Sequence, residues 1–432
     1  MDGARPPISD HADDTADDAR YLQAVAACGD KRRLVVSQPI YSAHGIKLLD
    51  VGARIDSRVL DRLFGHTLAE PIDRCVASED AIRHRDLVEA AREFVAATPL
   101  LVHFEASLGP KAARCWSSLQ SCPLPPAIAL RLTVVRDTAP VLYRHSLAAT
   151  FIALFIGVAA RFTDRDLHVL ATAGLLHDIG MMYADPAQYE GEKPLDVGAR
   201  RNLYAHPLTG QLIAQREPLL NAAIATAIAQ HHERADGTGY PRGLAGEAIG
   251  KLGRVLALTE VISAVLEHER EQPDLRLSLI LRLNHRSFDT ALSQVVLAAL
   301  PNLAITHEAT PCSTAEAQLV DSLFVTWRKA REAELSKESA AARAYIDARV
   351  ERLRRWLSEA GFWEEGAVPE PDQLKETPLV CAEMNALARE ALWHLRQIAY
   401  EALHRWPDLA TQQGATHDAS RWLASALSID RN

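Results

Sequence analysis

The chain of 432 residues lacks paired cysteines, a long apolar run and an excess of positive charge. Its six cysteines form no CxxC pair, which argues against a disulfide framework or a thiolate zinc site and favours reduced thiols in a cytoplasmic protein. The longest nearly apolar run, residues 147–160, is shorter than the roughly 20 residues that cross a bilayer, so we expect a buried helix and no membrane insertion. Because the formal net charge is −9, we do not expect general binding to nucleic acid or to an anionic membrane.

What remains is the composition of a globular protein, 48% hydrophobic and 24% charged, with a length that allows about three domains. Short apolar runs separated by Gly45 and Gly52 predict strands, and longer stretches with apolar residues at helical spacing predict helices. The predicted fold class is mainly α, with a small β-containing module before an all-helical domain and a long helical extension after it. The predicted parts are a disordered N-terminus at 1–30, a β-rich module at 31–75, a helical connector at 76–136, a central helical domain at 137–310 and a helical extension at 311–432.

The extension carries two amphipathic patterns, one over Ile346–Leu357 and one over Met384–Ala402. They predict two long helices that form a hairpin. Most tryptophans of the chain lie in this region, at Trp327, Trp356, Trp363, Trp393, Trp406 and Trp422. We interpret them as core residues that pack against the central domain or a dimer partner, in preference to a ligand-binding aromatic cage. The sequence therefore allows a homodimer through these C-terminal helices.

Histidines and an aspartate recur in the central domain in a pattern that suits metal binding. Imidazole and carboxylate groups are ligands for divalent metals such as iron, manganese or zinc. The histidines outnumber the three or four protein ligands of one catalytic metal, so the pattern favours two ions. Two nearby ions would hold the attacking and leaving oxygens of a phosphate ester and lower the pKa of bound water. The residues are His145, His177, Asp178, His206, His231 and His232.

Each of these residues has an ordinary explanation when it is taken alone. His145 suits a hydrogen-bonded core histidine, and the pair His177-Asp178 can arise by chance. His206 suits a helix start, and His231-His232 suits a solvated turn. Such explanations must all hold at once to exclude a metal, so the set as a whole favours the metal site.

Three segments resemble the HD-GYP subgroup of HD-domain phosphohydrolases: LLHDIG at 175–180, HPLTG at 206–210 and HHERADGTGYP at 231–241. The third is a long and specific signature, whereas an HD pair alone is not. The resemblance covers about residues 137–305. It implies an all-helical HD-type domain with a centre of two or three irons, or of manganese. It also implies hydrolysis of cyclic di-GMP to pGpG and GMP in bacterial signalling.

The resemblance assigns a role to each residue of the site. His145, His177 and Asp178 would bind a first ion, and Asp178 would bridge to a second. His206, His231 and His232 would bind that second ion. Glu260 stands where the family has an aspartate that completes the first site. The implied cofactors are two divalent ions, iron with manganese as the alternative, and the expected catalytic residues are His177 and Asp178.

The chain departs from the family pattern at the substrate contacts. Met181 stands in place of a lysine that contacts the substrate phosphate, and methionine offers neither a donor nor a charge. Val141 stands in place of a glutamate that supports a third metal, which favours two ions over three. A basic loop of the family is replaced by an acidic stretch in which Arg270 is the nearest guanidinium.

The loop Asp236–Pro241 keeps the family pattern. Together with Arg270, its residues Asp236 and Tyr240 are the expected substrate contacts. The resemblance also makes this loop an expected contact for a GGDEF-type cyclase domain or another protein partner.

Two hypotheses from different classes follow. The first is a phosphodiesterase that hydrolyses cyclic di-GMP or a related cyclic dinucleotide, supported by the nearly complete set of metal ligands. The second is a catalytically weakened module that serves as a cyclic-dinucleotide sensor or a protein scaffold, supported by Met181, Glu260 and the acidic stretch. A third hypothesis is a metal-dependent hydrolase of another phosphoester, because the altered residues are those expected to contact the substrate.

Overall fold

The computed structural model describes residues 14–184, 197–268, 272–301, 315–331, 337–359, 378–406, 409 and 417–428. The described residues are mainly helical, with a few short strands near the N-terminus, which confirms the predicted fold class. The chain divides into two compact units. One comprises Met1–Ala264 and Ser287–Val296, and the other comprises Val265–Arg286 and Leu297–Asn432.

The first unit begins with a small module of one helix, short strands and a single helical turn. The short strands lie between residues 34 and 78, whereas the β-rich module was predicted for 31–75. A three-stranded antiparallel sheet has the order β4-β1-β5, with Leu34 of β1 opposite both Ile55 and Ser78. Strands β2 and β3 form a separate antiparallel pair. The elements are α1 (Asp14–Lys31), β1 (Leu34–Val36), β2 (Ile40–Tyr41), β3 (Lys47–Leu49), β4 (Arg54–Ile55), α2 (Ile72–Cys75) and β5 (Val76–Ser78).

Helix α1 corrects the prediction of a disordered N-terminus up to residue 30. The helix buries Tyr21, Leu22, Val25 and Cys28 in the core of the module. These residues recur at the three- and four-residue spacing of one helix face, so they can bury apolar surface although the segment is rich in acidic residues. Composition averaged over the segment hides this pattern. Residues 1–13 lie outside the described part of the chain.

The helices of the first unit pack around one long apolar helix, α7. The predicted connector at 76–136 is not separate from the central domain, because α3, α5 and α6 all pack on α7. Their apolar faces need that contact to be buried, so residue 136 marks no structural boundary. The helices are α3 (His84–Ala97), α4 (Pro99–Leu108), α5 (Ala113–Gln120), α6 (Pro126–Thr138), α7 (Pro140–Ala159), α8 (Asp164–Leu176), α9 (Val197–Gln215), α10 (Ala222–Gln230) and α11 (Lys251–His268).

Helix α7 is the one helix among the described residues that is long and apolar enough to cross a membrane, and 78% of its most apolar window is buried inside the protein. It lies against α8 at Gly174, where an added Cβ would come within 2.9 Å of the Cα of Thr150 on α7. Glycine therefore permits the close approach of the two helices. This approach brings the end of α8 next to His145.

The second unit begins earlier than the predicted boundary at residue 310. Helix α12 buries Leu275, Leu279 and Leu283 in the same core as the C-terminal helices, so it belongs with them structurally. The two long helices predicted for the extension are present as α15 and α16, and they pack on each other. The helices are α12 (Pro273–Leu283), α14 (Ala315–Ala330), α15 (Lys337–Glu359), α16 (Pro378–Arg405) and α17 (His417–Leu427); α13 (Thr290–Ala298) belongs largely to the first unit.

The tryptophans of the second unit divide between core and surface. Trp327 and Trp422 are buried, with ring centroids 4.9 Å apart, as core packing predicts. Trp393 is 47% exposed, and its predicted packing against the central domain or a dimer partner stays a prediction. Trp363 lies outside the described residues.

Candidate metal centre

Five helical elements of the first unit bring the predicted ligands together. Each ligand lies at a helix end or on an inward face, so its position is fixed by the packing of the helices. His145 is on α7, His177 and Asp178 follow the end of α8, His206 is on α9, His231 and His232 follow the end of α10, and Glu260 is on α11.

The first group consists of His145, His177, Asp178 and Glu260. The Nε2 atoms of His145 and His177 are 3.0 Å apart, and each is 3.5 Å from Oδ2 of Asp178. Oε1 of Glu260 lies 3.0 Å from Nε2 of His177 and 3.8 Å from Nε2 of His145. The longer side chain of glutamate thus reaches the same two imidazoles that the aspartate carboxylate faces.

The second group consists of Asp178, His206, His231 and His232. The Nε2 atoms of His206 and His231 are 3.0 Å apart. They lie 3.1 and 3.4 Å from Oδ1 of Asp178. His232 completes a set whose ligand atoms all lie within 4.8 Å of one another. Asp178 therefore presents one oxygen to each group, the arrangement expected of a bridging carboxylate.

Backbone carbonyls determine which nitrogen of three rings faces the site. Nδ1 of His177 donates to the carbonyl of Gly174, three residues earlier in the chain. Nδ1 of His206 and of His231 donates in the same way to the carbonyls of Leu203 and Ile228. A carbonyl can only accept, so the proton is on Nδ1, and in the neutral rings Nε2 presents a lone pair to the site. Metal-binding histidines are oriented by such hydrogen bonds.

One buried oxygen of this site has no hydrogen-bond donor among the residues that the structure describes. Oδ1 of Asp178 is shielded from solvent and accepts no hydrogen bond, although two imidazole nitrogens face it. A buried carboxylate oxygen opposite two lone pairs is costly unless a cation is bound there. The residues therefore fit a divalent ion in each group, and borderline metals such as iron, manganese or zinc match these nitrogen and oxygen donors.

The charges of the site reinforce one another in the metal-free protein. Burial acts to lower the pKa of His177, but the charges of Asp178 and Glu260 outweigh it and raise the pKa to about 10. Burial acts to raise the pKa of Asp178 and of Glu260, yet the positive charge of His177 outweighs it and holds both well below their usual range. Burial lowers the pKa of His231 and, more strongly, of His232, so both rings are neutral and available as ligands.

A stack of three rings links the second group to the loop Asp236–Pro241. The ring of Tyr240 stacks on His232 with centroids 4.5 Å apart, and Tyr204 of α9 stacks on Tyr240 at 4.4 Å. Tyr204 is partly exposed, whereas burial raises the pKa of Tyr240 well above its ordinary value. Tyr240 thus lies against the predicted ligand His232, and its expected contact with substrate stays a prediction.

The same loop is held by two carboxylates. Glu233 is fully buried, and its two oxygens accept the backbone N–H groups of Arg242 and Leu244, each at 2.8 Å. The carboxylate of Asp236 accepts from the backbone and hydroxyl of Thr238 and from the hydroxyl of Ser287. The contacts of Asp236 are those of a turn-stabilising residue, and its predicted role in substrate binding stays a prediction.

Three positions at which the chain departs from the family pattern are Met181, Val141 and Arg270. Met181 is buried, and its backbone N–H donates to the carbonyl of Asp178. Val141 is 61% exposed, and the expected number of two ions stays a prediction. Arg270 lies outside the described residues, so its expected substrate contact stays a prediction.

Sequence reasoning missed the contributions of Glu233 and Tyr204. The signal for Glu233 was its position directly after two predicted ligand histidines, within the segment HHERADGTGYP. The stacking of Tyr204 on Tyr240 joins residues that are far apart in sequence, so no local pattern could have indicated it.

A helical domain in which one aspartate faces two histidine groups belongs to the class of divalent-metal HD domains. A family model described as "HD domain" matches residues 132–289 of this chain. Together with the motif around Tyr240, this match makes residues 132–289 similar to HD domains of the HD-GYP type.

Curated relatives match over the same part of the chain. A 3′3′-cGAMP-specific phosphodiesterase 3 of Vibrio cholerae is 29% identical over 153 residues, which cover 34% of this chain and 33% of the relative. The cyclic di-GMP phosphodiesterase PA4108 of Pseudomonas aeruginosa is 33% identical over 143 residues, which cover 32% of this chain and 34% of the relative. The chain thus spans about a third of the length of these curated relatives.

Among solved structures, an HDG"Y"P protein from Bdellovibrio bacteriovorus is 15% identical and covers 61% of this chain and 94% of its own. Its TM-score of 0.35 is too low for the likeness to bear on the site.

Proposed function

We propose that this chain is a metal-dependent phosphodiesterase that hydrolyses cyclic di-GMP or a related cyclic dinucleotide to pGpG and GMP in bacterial second-messenger signalling. The observation that carries the proposal is the position of Asp178, whose two oxygens face two separate histidine groups. The named activities of the relatives from Vibrio cholerae and Pseudomonas aeruginosa support a cyclic dinucleotide as substrate. We place the reaction in the cytoplasm.

The proposed cofactors are two divalent ions, iron with manganese as the alternative. The first would be held by His145, His177, Glu260 and Asp178, and the second by Asp178, His206, His231 and His232. When bound, such ions stabilise negative charge on the oxygens of a phosphate ester and lower the pKa of water.

The protein residues prepare this chemistry in three ways. The carbonyl contacts of His177, His206 and His231 fix the orientation of these rings, so that their Nε2 atoms are directed into the site. The carboxylates of Asp178 and Glu260 stay ionised because the imidazoles facing them outweigh the effect of burial on their pKa values. The ring stack of Tyr240 on His232 limits rotation of that imidazole.

Turnover by protein purified without oxygen tests the proposal. The protein would be loaded with Fe²⁺ or Mn²⁺, its metal content measured, and its products from cyclic di-GMP and 3′3′-cGAMP separated by chromatography. We expect linear dinucleotide and then mononucleotide to accumulate. His177→Ala and Asp178→Ala should each lower kcat at least about a hundredfold, because each removes a ligand of the site.

His168→Ala is the matched control. This histidine lies on the same helix α8 but contacts the hydroxyl of Ser121 instead of the site, so its removal should leave turnover unchanged. Two bound ions without turnover of either dinucleotide would contradict the enzyme and favour the second hypothesis. Turnover of another phosphoester, but of neither dinucleotide, would contradict the proposed substrate and agree with the proposed metal-dependent hydrolysis.

The second candidate function is a weakened module that senses a cyclic dinucleotide or acts as a scaffold. Met181 favours it, because this side chain is buried and offers no charge to a phosphate. A scaffold would bind the dinucleotide or a protein partner with the metal site intact and without product formation. The predicted partner surfaces, the loop Asp236–Pro241 for a GGDEF-type domain and the C-terminal helices for a second copy of the chain, belong to both candidates.

A further inference from the structure

A cluster of four side chains, three of them buried and one partly buried, joins the N-terminal module to the segment that follows Asp178. The segment is the 3-10 turn Ile179–Tyr183, here called the post-aspartate turn. The four side chains, called the Arg131 cluster, come from α1, α2, α6 and this turn. They are Tyr21, Asp73, Arg131 and Tyr183.

Arg131 is the centre of the cluster. Its guanidinium forms an ion pair with Asp73 and donates from Nη1 to the hydroxyl of Tyr183 at 2.9 Å. The guanidinium also lies 4.1 Å from the ring centroid of Tyr21 and 5.8 Å from that of Tyr183. Arg131 and Asp73 are each 5% exposed, so the ion pair is shielded from water and its geometry is restricted.

The post-aspartate turn is held from two sides. On one side Gly180 lies so close to α9 that an added Cβ would meet the carbonyl oxygen of His206 at 2.2 Å. On the other side Met182 and Tyr183 pack against the apolar core of the N-terminal module, and Tyr183 stacks on Tyr21 with centroids 5.4 Å apart. The backbone N–H of Met181 donates to the carbonyl of Asp178, so the position of the turn is transmitted to the bridging aspartate.

We propose that Arg131 is a positioning residue for Asp178, and that the N-terminal module supports the metal centre through the contact between Arg131 and Tyr183. The proposal rests on the metal site of the proposed function but not on the identity of the substrate. Substitutions that touch neither a ligand nor the substrate should therefore weaken metal binding. Loss or displacement of the N-terminal module should therefore change the position of Asp178.

Tyr183→Phe is the variant that tests this contact. It removes one hydroxyl and keeps the ring that stacks on Tyr21. Replacement of Arg131 itself would leave Asp73 buried without its partner and could unfold the unit. Tyr345→Phe is the matched control, because it removes a hydroxyl that donates to the carboxylate of Glu401 within the second unit.

Metal affinity is measured on apoprotein with Mn²⁺ in competition with a chelator, and backbone hydrogen exchange is followed over residues 177–184. Tyr183→Phe should lower the Mn²⁺ affinity about tenfold, the low end of the effect of outer-shell partners. It should also speed exchange in this segment, where Met181 and Ala184 donate to the carbonyls of Asp178 and Met181. Tyr345→Phe should change neither quantity.

An Mn²⁺ affinity within twofold of the parent protein, together with unchanged exchange over 177–184, would overturn the proposal. A fall in melting temperature without these two changes would give the Arg131 cluster a purely structural role and would also overturn it. Failure of the proposed function can be distinguished from failure of this proposal. In that case no cyclic dinucleotide would be turned over, but the two tyrosine variants would still differ in Mn²⁺ affinity.

Discussion

Glu260 reaches His177 across the first ligand group, with its Oε1 atom 3.0 Å from the Nε2 atom of the imidazole. Glu260 lies on α11, whereas His177 follows the end of α8, so the separation between these two helices suits the longer acidic side chain. The backbone of α11 is therefore placed so that a glutamate, in place of the family's aspartate, can reach the first ligand group. Replacement of Glu260 by the family's aspartate should therefore lower the metal affinity, whereas the family pattern alone would suggest an increase.

Glu260→Asp should weaken the first metal site instead of improving it. Removal of one methylene withdraws the carboxylate by roughly 1.5 Å, the length of a C–C bond, from both imidazoles of the first group. We expect about a tenfold loss of affinity for the more weakly bound ion, measured by Mn²⁺ titration. Glu260→Gln keeps the length and removes the charge, so it should lose at least as much. An affinity gain in Glu260→Asp would mean that the helix adjusts to the shorter side chain.

The shared position of Asp178 predicts that metal stoichiometry depends on which ligand is removed. Asp178→Asn should reduce occupancy of both ions, because one oxygen faces each group and an amide is a poorer ligand than a carboxylate. His232→Ala should reduce only one, since this ring belongs to the second group alone. Elemental analysis of both variants after loading with Mn²⁺ measures this. Equal loss in the two variants would argue against a bridging role.

Glu233 predicts a stability cost that is separate from metal binding. Its buried carboxylate accepts two backbone N–H groups of the loop, and Glu233→Gln would place an amide N–H₂ against one of them. We expect a loss of about 2 kcal/mol in the free energy of unfolding, the cost of an unsatisfied buried group, seen as a lower melting temperature of the metal-free protein. Glu247→Gln, an exposed glutamate of the same region, is the control and should change little.

The predictions that succeeded from sequence rest on local spacing. The HD pair at the end of α8, the double histidine after α10 and the heptad-like spacing of Ile346 to Leu357 are all readable within a few residues. The fold class followed from such patterns, and the structure brings the predicted ligands together. The distances among these ligands could not be read from the sequence, because they depend on how α7, α8, α9 and α11 pack.

Errors arose where distant residues or averaged composition decide the structure. Helix α1 was hidden by its acidic residues, although Tyr21 and Val25 give it an apolar face. The domain boundaries at 136 and 310 failed because apolar faces on α6 and α12 pack with helices across those positions. The link between Arg131 and Tyr183 joins residues 52 positions apart and had no sequence signal.

The buried cysteines predict low thiol reactivity in the folded protein. Burial raises the pKa of Cys28 and of Cys115 to about 12 and that of Cys122 to about 11, against an ordinary value near 9. Because the pKa is raised in the folded state, the thiolate fraction at pH 8 is about a hundredfold or more below that of an unfolded chain. Iodoacetamide at pH 8 followed by peptide mass spectrometry should leave these three unmodified, and urea should expose them. Rapid labelling of the native protein would contradict their burial.

The same shifts predict that alkali destabilises the protein. Thiols whose folded pKa lies above the unfolded value contribute their full stability below about pH 9 and lose it as the pH rises toward 12. The free energy of unfolding should therefore fall between pH 9 and pH 11. Cys115→Ala should reduce the slope of that fall, because it removes one of the titrating groups. An unchanged slope would assign the alkaline loss to other groups.

Met181 gives a direct test of whether the phosphate contact limits activity. The Met181→Lys side chain is long enough to carry its ammonium group to the surface while its methylene groups stay buried. A charge-assisted hydrogen bond to a phosphate contributes about 1.5–3 kcal/mol, so kcat/KM for cyclic di-GMP should rise about tenfold or more. Met181→Leu keeps the apolar packing and should leave kcat/KM unchanged. A Met181→Lys protein that retains two ions and its melting temperature but gains no activity would contradict this prediction. The absence of a lysine would then not limit activity, and Tyr204 and Tyr240 beside His232 would be the next candidates for substrate contacts.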